Sequence, residues 1–171
     1  MAPSKRNKRR ARARGTDGAG VSPTTVRWSL AFYRTDKGLA PARSFLLDCP
    51  QPVREMLLAI VVAVRDAPPP SFPPSRMWHV MHGEMKGFYE ARDEHDGQLY
   101  RVFCVLDSQA PEHGLDAKAL TLICGGVKPV RKPMDKSVYE QALTYRQDYL
   151  GTRRIVLGMG VPRDQQKTSW T

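Results

Sequence analysis

The chain has 171 residues, enough for one domain of ordinary size with tails, but not for two well-filled cores. Its longest apolar run, MLLAIVVAV at 56–64, has nine residues, which excludes a membrane-spanning helix. The basic N-terminus lacks the apolar stretch of a signal peptide, so a cytoplasmic protein with no membrane partner is expected. The net charge of +10 suggests a polyanionic partner, but residues 1–23 carry +6 of it and residues 151–171 carry +3, which leaves +1 for 24–150.

Residues 1–23 have no hydrophobic period and end in glycine-rich sequence, which predicts a disordered basic arm. Such an arm is either a solubilising tail or a phosphate-binding one. From 25 to 34, Val26, Trp28, Leu30 and Phe32 alternate with Arg27, Ser29, Ala31 and Tyr33, the period of a half-buried strand. Pro41 stands at a natural first helical position. Pro50 and Pro52 open a second helix whose Val53, Met56, Leu57, Ile60, Val61 and Val64 share a face. Five prolines between 68 and 74 then enforce a linker inside the domain.

Residues 86–92 and 98–107 read as a β-hairpin, with Asp96-Gly97 as a turn signal inside a looser five-residue connection from Asp93 to Gly97. A further strand covers 119–124. A last helix begins near Pro133, carries Asp135 in its first turn, and runs to about Tyr149. The order β-α-α-β-β-β-α defines an α+β domain over 24–150. It has a small, largely antiparallel sheet of about four strands, two N-terminal helices packed on it and a C-terminal helix; 151–171 is a basic tail.

Two clusters carry chemical potential. In YRVFCVLD the period of two puts Arg101 on the face of Phe103 and Val105, with Tyr100 on the other, and in KGFYEARD it puts Glu90 and Arg92 with Phe88. Arg92 and Arg101 can therefore share a face of adjacent strands with Glu90 beside one of them. A guanidinium is always charged, so both need a carboxylate or solvent. A structural ion pair is the plainer explanation and a phosphate-binding floor the functional one. The second cluster, GGVKPVRKPMDK, carries Lys128, Arg131, Lys132 and Lys136 between a strand and a helix start, a setting suited either to a solvated loop or to an anion.

Cys49, Cys104 and Cys124 form no C-x-x-C pair, and each lies in an apolar setting that suits a buried thiol in a reducing compartment. His79 and His82 stand three apart without further ligands in a recognisable pattern, so no metal is expected. His95 and His113 fall in loops, where either is a proton carrier or an exposed histidine. No nucleophile elbow, phosphate-binding loop or dinucleotide fingerprint occurs, and no cofactor is expected.

The run MKGFYEAR, YRVFCVLD, LTLICGGVKPVRKP and the helix ending ALTYRQDY resembles the RelE/ParE toxin superfamily, in particular its HigB-like, phage-associated branch. The resemblance covers about residues 25–150 and is clearest over 85–149. Val127 and Pro129 depart from the family's loop, and Lys128 stands as the equivalent cation with Arg131 and Lys132 behind it. It implies a ribosome-dependent endoribonuclease that cuts mRNA without metal, held inactive by an antitoxin with a helix-turn-helix or similar module.

On this resemblance Arg101 stabilises the transition state and Arg92 clamps the phosphate, oriented by Glu90. Lys128 and Arg131 contribute from the loop, with Lys86, Lys132 and Lys136 as RNA-binding cations; Arg9 and Arg10 of the basic arm, outside the resemblance, are further RNA-binding candidates on their charge. Two other readings stay open on the same residues: a ParE-like topoisomerase inhibitor, and a non-catalytic RNA- or ribosome-binding protein on a toxin-like scaffold.

Overall fold

The structure, a computed structural model, describes residues 28–159. The first strand forms where the alternation placed it, as β1 (Ser29–Tyr33). Helix α1 (Pro41–Asp48) starts on the expected proline, and α2 (Gln51–Asp66) has Pro52 in its first turn. Val53, Leu57, Ile60, Val61 and Val64 of α2 are buried, whereas Met56, expected on the same face, turns to solvent at 43 % exposure. The prolines then bring the chain to a three-residue strand, β2 (Trp78–Val80), and a single 3-10 turn, Gly83–Met85.

The hairpin comprises β3 (Tyr89–His95) and β4 (Gln98–Asp107). Its connection is tighter than the expected five-residue loop. His95 pairs with Gln98, so only Asp96 and Gly97 make the turn, both at positive φ (48° and 70°), the backbone of a type I′ turn. Strand β5 (Ala119–Pro129) runs five residues beyond the expected end, through Gly125 and Gly126. Helix α3 (Lys136–Thr152) begins at Lys136, and Asp135 is its N-cap rather than a first-turn residue, accepting from the Ser137 amide at 2.9 Å. That backbone hydrogen bond holds the Asp135 carboxyl below the usual range. The chain then adds β6 (Ile155–Leu157).

The six strands lie in the order β2-β3-β4-β5-β1-β6, two more than the four expected, because β2 and β6 extend both edges. The sheet is mixed: β1 runs parallel to β5 and every other pair is antiparallel. Helices α1 and α2 cover one face, where Leu46, Val53, Leu57 and Val61 pack with Phe32, Val102 and Leu122. Helix α3 covers part of the other, where Ala142 and Tyr149 pack with Tyr33, Phe88, Phe103 and Ile123. Two glycines of β5 permit this layering. A Cβ on Gly125 would lie 2.1 Å from the Phe45 ring of α1, and one on Gly126 would lie 2.9 Å from Val138 of α3.

The domain does not end at 150. Arg153, in the left-handed region at φ 51°, donates through Nε to Asp107 at 2.6 Å, and the same Asp107 oxygen accepts from the Tyr149 hydroxyl, which in turn accepts from Thr121. All four side chains are buried, and burial pushes the Tyr149 phenol up to about 12. Beside it, Asp148 accepts from Tyr33 and Arg154, each at 2.5 Å. Arg153 and Arg154 are thus anchors of the fold and not part of a basic tail. The three cysteines are free and buried, and burial raises the Cys49 thiol to about 11 and the Cys124 thiol to about 12. No helix among the described residues is long and apolar enough to cross a membrane.

Candidate functional site

The hairpin register sets Arg92 directly opposite Arg101, with Glu90 one pleat away on the same face. Two like charges facing each other across adjacent strands repel. Glu90 holds them together: its Oε1 accepts from Arg92 Nε at 2.7 Å and its Oε2 from Arg101 Nη1 at 3.1 Å. One carboxylate therefore serves both guanidiniums, not one of them, and the group of three keeps a net positive charge. The side chains are 4 % (Glu90), 14 % (Arg101) and 26 % (Arg92) exposed, so Arg92 is the member most open to a ligand.

Arg101 also reaches Tyr139 of α3, whose hydroxyl lies 3.4 Å from Nη1, and its Nε is buried with no hydrogen-bond partner among the described residues. Gly126, opposite Arg101 on β5, leaves just enough room for Met134 and Val138 to seat the start of α3 there. Arg92 borders an open cleft of about 380 Å³ shared with Arg76, Met77, Asp93, Glu94 and Leu99. Tyr100, on the opposite face, packs against the α1/α2 core as expected.

The loop cations divide. Lys128 lies opposite Leu99, on the face of Arg101, but its Nζ turns back to the carbonyls of Pro129, Val130 and Lys132 and fixes the loop's shape. Arg131, Lys132 and Lys136 are exposed. Lys86 is exposed after the 3-10 turn, where its carbonyl accepts from Arg146. Among the described residues no hydrogen bond or ion pair joins these four to the arginine pair. Arg9 and Arg10 lie outside the described residues.

Of the histidines, His95 alternates onto the face away from Arg92, with its ring 3.3 Å from Asp96, and cannot serve this cluster directly. His113 is exposed at the end of the turn Ala110–His113. The imidazole that the topology brings to the site is His79, which β2 sets opposite Glu90 on the same face, with Nε2 3.1 Å from the Arg76 carbonyl. Sequence reasoning missed Tyr139 as a partner of Arg101 and His79 as the residue opposite Glu90. A three-residue edge strand shows no alternation, and nothing in the sequence says where α3 crosses the sheet. Among the described residues no three His, Cys, Asp or Glu side chains converge as metal ligands.

No family model, curated protein or solved structure matches the chain.

Proposed function

We propose that the chain is a ribosome-dependent mRNA endoribonuclease, the toxin of a toxin-antitoxin pair, working as the resemblance to the RelE/ParE superfamily implies. The observation that carries the reading is the Arg92-Glu90-Arg101 group. Glu90 neutralises one of the two arginines, so the group keeps a guanidinium's worth of charge in a half-buried place, which an RNA phosphate would offset.

In the reaction the substrate 2′-oxygen bonds to the adjacent phosphorus, its proton leaves to a base, and the bond to the 5′-oxygen breaks as that oxygen takes up a proton. Arg92, the more exposed, binds the phosphate. Arg101 stabilises the added charge of the transition state while Glu90 orients both, and Arg131 approaches the backbone from the loop that Lys128 holds in shape. His79, opposite Glu90 on the same face, is the proton carrier on this reading. The partners on this reading are mRNA on the ribosome and an antitoxin with a helix-turn-helix module.

A non-catalytic RNA- or ribosome-binding role has one observation in its favour: Arg101 is largely covered and already paired. Induced expression separates the two. The nuclease reading expects growth arrest from the chain lacking residues 1–23 as well as from the full chain, whereas arrest that depends on the arm favours the binder.

A further inference from the structure

A second basic feature lies at the opposite edge of the sheet. Arg34, Leu39, Arg43, Leu47 and Val156 line a groove of about 200 Å³ between α1 and β6, and among the described residues no carboxylate lines it. Arg43 carries two buried guanidinium nitrogens, Nε and Nη2, with no acceptor among the described residues. A buried donor without a partner costs about as much as a lost hydrogen bond, and a charged one more. Leu39 and Leu47 on the groove's rim are 50 % and 42 % exposed.

The same groove runs along a free strand edge. Among the described residues β6 pairs with β1 alone, through Ile155, Val156 and Leu157, and is the last strand of the sheet. Exposed edges are usually blunted by charge, proline or a bulge, yet this one presents three aliphatic residues, with Val156 facing the groove and Leu157, 65 % exposed, on the other face. Those residues bring no carboxylate, so a second copy of the chain pairing edge to edge would leave both arginines unneutralised.

We propose that this edge is a docking site for an extended peptide segment of another protein, one whose groove-facing positions, every second residue, carry aliphatic and acidic side chains in turn. The segment adds as a strand beside β6, its aliphatic side chains cover Leu39 and Leu47, and its carboxylates meet Arg43 and Arg34. Backbone hydrogen bonds supply affinity without sequence demands, and the two arginines supply the preference for acid. This surface is separate from the arginine pair of the hairpin and does not depend on the chemistry proposed there.

The test uses the full chain and a fluorescently labelled synthetic peptide repeating valine-serine-glutamate-serine, which puts valine and glutamate on one strand face, with lysine replacing glutamate in the control, read by anisotropy. The glutamate peptide binds, the lysine control does not, and binding weakens with added salt. Arg43→Gln lowers affinity by about 10-fold, the scale of one charge-assisted hydrogen bond. Leu47→Glu, at an exposed position that leaves folding unaffected, abolishes binding. Hydrogen exchange at Ile155–Leu157 slows when the peptide is present. Equal binding of both peptides, or affinity indifferent to Arg43→Gln and Leu47→Glu, overturns the proposal. So does binding that appears only after residues 160–171 are removed, which would assign the groove to the chain's own C-terminus.

Discussion

At the scale of single residues, Glu90 decides whether the hairpin tolerates its two arginines. Glu90→Gln keeps the shape but removes the carboxylate's charge, leaving two guanidiniums face to face in a half-buried site. The expected loss is about 2 kcal/mol in urea unfolding, below the range for a fully buried pair because Arg92 retains contact with water. A loss under about 0.5 kcal/mol would show that the cluster is not held by charge. Tyr149 gives a pH test. Its folded-state value near 12 lies above the ordinary phenol value of about 10, so its contribution is full below about pH 10 and is lost as pH rises through 12. Tyr33, pushed by burial to about 12, adds to the same decline. Stability should begin to fall above about pH 9, where the buried thiols of Cys49 and Cys124 start to weigh against the fold, and fall more steeply above about pH 10, and Tyr149→Phe should make that steeper part shallower. An unchanged alkaline slope in the variant would contradict the assignment. Glu90, Arg92 and Arg101 were legible as neighbours because a period of two assigns strand faces directly, and Tyr139 was not, because it arrives from another element.

At the scale of elements, the hairpin turn offers a clean prediction. A Cβ on Gly97 meets nothing within 4 Å, so Gly97→Ala suffers only from its φ of 70°. The cost should be about 1 kcal/mol by chemical denaturation. Gly126→Ala is the contrasting case: the new Cβ presses Val138 and Met134, so the start of α3 must shift away from Arg101. A loss of about 1–3 kcal/mol is expected, together with reduced activity even where the protein remains folded. Elements framed by proline or by long apolar periods, namely α1, α2, β1 and the hairpin strands, could be read from the sequence. β2 and β6 could not, since three residues show no period. The end of β5 was hidden by Gly125 and Gly126, which look like a loop and instead make room for Phe45 and Val138. The hairpin tip was hidden by Asp93, Glu94 and His95, polar residues that continue the ladder beyond the core.

At the scale of the whole molecule, two boundaries are testable. A chain ending at residue 150 loses Arg153 and leaves Asp107 charged, buried and without its ion pair. It should be destabilised by about 3–5 kcal/mol or fail to fold, whereas one ending at Met159 should melt like the full chain. Equal melting of the two would contradict a role for β6 and its arginines. The seven cations of the first 23 residues should govern salt dependence: deleting them should flatten the fall of RNA affinity with salt without abolishing cleavage. The central claim is that the charge left over on the hairpin face serves RNA cleavage. The measurement that tests it most directly is mRNA cleavage on programmed ribosomes by the full chain and by Arg101→Ala, after circular dichroism has shown that the variant is folded. Cleavage by the full chain that falls about 10²–10³-fold in the variant is the predicted result. No cleavage by the folded full chain, or cleavage equal in the two, would contradict it.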